Sequence, residues 1–187
     1  MSAKQKIRDA AHTLFYNQGI HATGIDSIIK RAGVAKQSFY NHYTSKQELV
    51  LDYLDLRHQQ WLDLYALRLQ HATSARDRIL AVYDAYQDHA EHRYENGFRG
   101  CGLLNAAAEF PVASPERQRV AEQKAQIQRF IEVALADLKP TLGDQAGYLA
   151  QEFAFLLEGS ISLAGLTGHS ALITQAKASV EQRLEVL

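Results

Sequence analysis

The chain has 187 residues, 47% of them hydrophobic, one cysteine and a net charge of −1. That length and apolar share can bury a substantial core, as one large domain or a small one joined to a larger one, and a lone cysteine excludes an intramolecular disulfide framework. No signal peptide precedes the first helical pattern and no run of about 18 apolar residues is present to span a bilayer, so a soluble, cytoplasmic chain is expected.

Apolar periodicity is helical almost throughout, without strand-like alternation, and about nine helices are expected. The first sets Ile7, Ala10, Ala11, Leu14 and Phe15 on one face and stops at Gly19. Thr23 and Asp26 have the spacing of a capping box, Ile25, Ile28, Ile29 and Ala32 share one face of a second helix, and Gly33 ends it. After a turn of a few residues, 35–43 reads as a third helix with Val34, Phe39 and part of Tyr43 turned inward. Ser45 and Glu48 repeat the capping-box spacing before a long helix over 47–70. Ser74 opens a helix running to about 94, residues 96–102 form a loop, and 103–110 is a short helix ended by Pro111. Ser114 with Pro115 marks the next start, Pro140 its close, and two last helices cover 144–166 and 170–187.

Two short helices joined by a tight turn have the form of a helix-turn-helix, in which the second helix lies in the DNA major groove braced by the first. On the outer face of that second helix stand Lys36, Gln37, Ser38, Tyr40, Asn41 and His42. Lysine and the tyrosine hydroxyl suit phosphate oxygens, whereas Gln37 and Asn41 can each give paired hydrogen bonds to an adenine edge. Lys46 adds charge at the start of the next helix, where backbone amides already favour an anion. Residues 1–48 hold seven lysines and arginines against three acidic residues, net +4, so the remainder carries −5 of the total −1. The basic footprint thus coincides with the motif.

The run from Arg8 to Leu49, with Ala10, Ala11, Phe15, Gly19, Thr23, Ile28, Ala32, Gly33, Val34, Lys36, Phe39, Tyr40, Tyr43, Ser45 and Lys46, resembles the DNA-binding domain of the TetR/AcrR family of bacterial regulators. The resemblance implies an all-α fold: an N-terminal three-helix DNA-binding domain over 1–48 and a C-terminal helical ligand-binding and dimerisation domain over 49–187. It implies a ligand-responsive repressor of palindromic operator DNA, with phosphate contacts from Lys36, Tyr40 and Lys46, base-proximal positions at Gln37, Ser38, Asn41 and His42, and Thr23 among the DNA-binding residues. Two departures stand out. Ala35 replaces the family's usual serine N-cap, a loss of about 1 kcal/mol of local helix stability, and Gln37 stands where glycine is frequent, which makes it a candidate specificity residue.

For the effector site the candidates are Trp61, Tyr65, Tyr83, Tyr86, His89, Phe98, Cys101, Asn105, Glu109, Phe130, Phe155 and Glu158, each with core packing as the alternative role. Glu158 is notable because it interrupts an apolar helix, where an unpaired charge is costly. The helix over 144–166 is apolar nearly all round, so it should be buried on more than one side, either as a central core helix or, as the resemblance implies, in a four-helix homodimer interface with the helix over 170–187, for which Phe153, Leu157, Gly159, Ile161, Ser162 and Gly165 are candidate contacts. No cofactor or metal is expected, since His89 and His92 have no clear third ligand. Three alternatives stay open: a helical-bundle enzyme using His89, His92 and Glu109, a nucleoid-type or adaptor protein that binds DNA without an effector, and a redox or electrophile sensor acting through Cys101.

Overall fold

The structure, a computed structural model, describes all residues 1–187 as nine α-helices and one 3-10 turn, with no strand. α1 (Ala3–Gln18) opens where the Ser2 hydroxyl accepts the Gln5 N–H at 3.2 Å, satisfying one of the donors every helix start leaves unpaired. α2 (Ile25–Ala32) ends at Gly33, whose φ of 63° lies in the left-handed region that a side chain would strain. α3 (Lys36–Tyr40) follows after Val34 and Ala35. Then come α4 (Lys46–Leu69), α5 (Ala75–Glu91), α6 (Gly102–Ala108), α7 (Pro115–Leu138), α8 (Gln145–Thr167) and α9 (Ala171–Glu185).

Helix number and order match the sequence expectation, whereas several ends do not. Regular helix stops at Tyr40 instead of 43, although the Tyr43 N–H still reaches the Phe39 carbonyl at 3.0 Å. α5 stops at Glu91, three residues early, because His92 takes an extended backbone with ψ of 146°. The first expected capping box does not form: Gly24 is the N-cap of α2, and the Thr23 hydroxyl donates backwards to the Gly19 carbonyl at 2.7 Å. The second is shifted by one residue. Ser45 Oγ accepts the Glu48 N–H at 3.2 Å, but Glu48 returns to the Thr44 N–H at 2.7 Å. A complete box caps α5, where Ser74 and Asp77 satisfy each other's backbone N–H groups.

Close contacts divide the chain into two compact units, one of residues 1–59 and 102–121 and one of 60–101 and 122–187. The first therefore holds more than the 1–48 segment expected from sequence: α6 and the start of α7 join it. Its core is Ile7, Ala11, Phe15, Ile28, Phe39, Leu49 and Leu54, all at most 3% exposed, and α1 packs against α2, α3 and α6. The second unit is built on α5, α8 and α9. The Tyr83 hydroxyl, wholly buried, donates to the Phe153 carbonyl at 2.6 Å and so ties α5 to α8.

α8 departs from expectation in one respect. An 18-residue window of it has a mean hydropathy of 1.2, so by length and composition one helix here could cross a membrane, where the sequence reading expected none. The apolarity has two destinations. Leu149, Phe153, Leu157 and Ile161 are buried within the unit, while Tyr148, Phe155, Leu163 and Leu166 are 77%, 67%, 55% and 84% exposed. Spaced seven, eight and three residues apart, the exposed set falls on one side of the helix as a single stripe.

Candidate nucleic-acid interface

α3 presents two unlike faces. Beneath it, Phe39 is fully buried and Tyr43 is 2% exposed, their rings 5.9 Å apart. The Tyr43 hydroxyl donates to Asp52 at 2.7 Å, and Asp52 pairs with Arg8 at 2.9 Å. Burial, then the Asp52 bond, pushes the Tyr43 hydroxyl pKa far above its ordinary value, so it stays a neutral donor. One residue each from α1 and α4 thereby pins the end of α3. Above it, Lys36, Gln37, Tyr40, Asn41 and His42 are exposed and Ser38 is partly so.

The outward groups are partly pre-ordered. The Lys36 ammonium lies 3.1 Å from Asp26 of α2, and that hydrogen bond raises its pKa. The Gln37 amide donates to the Asn41 side-chain oxygen at 3.1 Å, so the two residues able to read base edges sit together one turn apart. Ala35 leaves α3 without a side-chain cap. A five-residue helix without a cap is held by its buried aromatic face, since so short a helix has little stability of its own.

Two expected DNA contacts are placed elsewhere. Thr23 is 0% exposed, which removes its side chain from the outer face. The Lys46 ammonium turns inward to the Ile20 carbonyl at 2.6 Å, where burial lowers its pKa against the opposing charge of Glu109. Glu109 is itself displaced from the expected effector set. Lying just past α6, it accepts the Ile20 and His21 backbone N–H groups at 2.7 Å each and contacts the His21 ring at 3.1 Å. Asn105, also in the first unit, is exposed.

In the second unit, Trp61 stacks on Tyr65 at 5.3 Å and Tyr65 on Phe130 at 5.2 Å. Tyr65 and Phe130 border a cavity of about 400 Å³ with apolar Leu62, Ala66, Leu69 and Val133. Tyr86, whose ring meets Trp61 edge-on at 5.5 Å, also belongs to a polar knot. Its hydroxyl donates to Glu158 at 2.8 Å, and the Lys124 ammonium reaches Glu158 at 2.7 Å, the Tyr86 oxygen at 2.8 Å and the Cys101 sulfur at 3.3 Å. Burial alone would lower the Lys124 pKa; the surrounding Cys101, Tyr86 and Glu158 raise it well above the ordinary value, so the ammonium stays charged. The interrupting charge of Glu158 is thus paired. Sequence reading missed Lys124, yet the signal was there: it falls on the buried face set by Val120, Ile127 and Ile131.

Other expected pocket residues serve structure. Tyr83 bonds the Phe153 backbone, Phe98 is buried against Tyr94 at 6.0 Å, and Phe155 points outward, 67% exposed. His89 and His92 each meet the Tyr94 ring, and no three metal-ligating side chains gather anywhere. Of His89, His92 and Glu109, the carboxylate of Glu109 is taken up by the Ile20 and His21 backbone N–H groups. Among the expected dimer contacts, Phe153, Leu157 and Ile161 are at most 1% exposed and belong to the subunit's own core. Gly165 packs on the Gly100 backbone, where an added Cβ would lie 2.6 Å from its Cα. Gly159 and Ser162 are exposed on the stripe with Phe155, Leu163 and Leu166.

A family profile described as bacterial regulatory proteins, tetR family, matches residues 7–53. The chain is 37% identical over 83 residues to the HTH-type transcriptional activator FasR of Mycolicibacterium smegmatis, 44% of this chain and 38% of FasR. It is 31% identical over 100 residues to the HTH-type transcriptional repressor KstR2 of the same species, 50% of this chain and 45% of KstR2. The match therefore spans less than half of either relative. Across the whole fold, SCO4454, a TetR-family transcriptional regulator from Streptomyces coelicolor, is similar with a TM-score of 0.86 and 27% identity, over 98% of this chain and 94% of that one.

Proposed function

We propose that the chain, whose residues 7–53 match the tetR family profile and whose fold is similar to that of a TetR-family regulator, is a sequence-specific DNA-binding transcriptional regulator acting as a homodimer on a palindromic operator. The observation that carries this reading is the outer face of α3, where Lys36, Gln37, Tyr40 and Asn41 are exposed over a fully buried Phe39. A rigid turn with phosphate and base donors on one side fits a major groove. The exposed stripe of α8 supports the dimer: an apolar helix face of this length on a monomer marks an association surface, and two-fold pairing would set two α3 faces on the two half-sites.

The second unit supports a small-molecule effector. The apolar cavity beside Tyr65 and Phe130 falls in the size range of ligand pockets and has aromatic walls suited to a flat apolar molecule. Such a molecule weakens DNA binding only if it binds the free conformation better than the DNA-bound one. The dimer reading, the operator reading and repression relieved by effector together describe a ligand-released repressor. Selection of operator sequences from random DNA, followed by fluorescence anisotropy against scrambled competitor, tests the core of it. Recovery of a palindrome bound at least about 10³-fold over scrambled DNA is expected, and equal affinity for both would overturn it.

A further inference from the structure

A cavity of about 400 Å³ opens in the first unit, between the residues leading into α2, the start of α4 and the loop from α6 to α7. Its walls are mostly apolar, with Ile20, Val50, Phe110 and Pro111 among them. One wall group is out of keeping with that. Glu116, in the first turn of α7, is 3% exposed, and its carboxylate receives one hydrogen bond, from the Gln47 amide to Oε1 at 2.9 Å. No lysine or arginine pairs with it. The ammonium on the cavity wall, that of Lys46, is engaged by the Ile20 carbonyl at 2.6 Å and lies in the field of Glu109.

A buried carboxylate with a single neutral donor keeps acceptor capacity unused, and its charge is costly to bury until a cation or further donors reach it. The α7 dipole offsets part of that cost, but it does not call for an open cavity in front of the carboxylate. Nor does the site suit an anion, since Glu116 lines the wall and Glu109 stands close behind Lys46. Phe110 and the His21 ring, 5.4 Å apart and tilted by 43°, offer flat surfaces beside the acid.

We propose that this cavity is a binding site for a small organic cation: a protonated primary amine carrying a flat apolar body, with its ammonium on Glu116 and its body against Phe110, His21 and Val50. The occupant would touch Ile20 and His21, which lead into α2, and Lys46 and Gln47, which follow α3, and hence both ends of the helix-turn-helix. On the reading of the chain as a DNA-binding regulator, occupancy then changes DNA affinity by favouring one placement of those ends; binding itself does not depend on that reading.

Backbone amide spectra of the full-length, isotope-labelled chain, titrated with benzylammonium chloride and in parallel with benzyl alcohol, test the site without DNA. Saturable shifts at the Ile20, His21, Gln47 and Glu116 amides are expected, with a dissociation constant on the order of 1 mM for so small a ligand. Benzyl alcohol, and benzylammonium with Glu116→Gln, should each bind about tenfold more weakly. Absence of saturable shifts at those amides, equal affinity for the alcohol, or unchanged amine affinity in Glu116→Gln would each overturn the proposal. The alcohol comparison uses the unaltered chain, so the test holds even if the variant does not fold.

Discussion

Glu109 and His21 are 88 residues apart in sequence and joined by two contacts: the carboxylate accepts the His21 backbone N–H at 2.7 Å and meets its ring Nδ1 at 3.1 Å. The same carboxylate takes the Ile20 N–H at 2.7 Å, so one side chain closes the orphan donors of the turn between α1 and α2. Burial would raise the Glu109 pKa, but those bonds outweigh it and hold the carboxyl below the usual 4.5. A lowered carboxyl pKa contributes stability that is complete above the unfolded value and is lost as pH falls through the folded one. Glu109→Gln is therefore expected to cost about 1–3 kcal/mol near neutral pH. Urea denaturation should show that difference constant down to about pH 4.5 and shrinking below it; a difference independent of pH would contradict the assignment.

Gln37 and Asn41 form a bonded pair on the exposed face of α3, whereas Lys36 offers only charge. Gln37→Ala should change the preferred base at one position in each half-site by about 1–3 kcal/mol. Lys36→Ala should weaken all sequences alike and flatten the salt dependence by about one phosphate contact per subunit. Binding measured on a panel of single-base operator variants at several salt concentrations separates the two, and identical profiles for both variants would remove Gln37 from base reading.

Lys124 is the one ammonium in the knot of Tyr86, Cys101 and Glu158. Its replacement by methionine leaves a largely buried carboxylate without a cation, at a cost of about 3–5 kcal/mol. Adding Glu158→Gln should restore much of that loss, because no buried charge then remains. Denaturant midpoints of the two single variants and the double variant measure the coupling, and simple additivity would show that the pair is not the source.

Leu163 is 55% exposed toward the C-terminal end of the apolar stripe of α8. Leu163→Glu sets a charge there without disturbing the buried face of Phe153, Leu157 and Ile161. Sedimentation should show a dimer for the parent chain and a monomer of unchanged helicity for the variant, with half-site DNA binding retained in weaker form. A variant that remains dimeric would move the interface off this stripe.

Cys101 is 7% exposed, with its sulfur against the Lys124 ammonium. Burial should dominate its reactivity, so a maleimide is expected to modify it only in denaturant. Rapid labelling of the native chain, with loss of DNA binding that Cys101→Ser prevents, would instead support electrophile sensing.

Features carried by local pattern were legible in the sequence. The nine helices follow from apolar residues three and four apart, Gly33 ends α2 for lack of a Cβ, and α3 turns Phe39 inward because the positions around it are polar. Helix ends and caps were less legible, since donors one residue apart compete: Thr23 reached back to Gly19, and Glu48 chose Thr44 over Ser45. Periodicity named α8 as apolar all round, but not which of its residues face the subunit core. That division depends on where α5 and α9 lie.

Residue type and spacing by themselves thus determined an all-helical chain with a polar helix face over a buried aromatic, and a basic segment of net +4 to carry it. Those properties are set by neighbours within a few turns. Only the tertiary structure decided that Glu109 serves the α1–α2 turn, that Lys124 neutralises Glu158, that Lys46 turns inward and that Glu116 faces a cavity. Each of these is a pairing of charges or donors brought together from distant segments, and the energy of a buried charge depends on what packs around it, which no local pattern specifies.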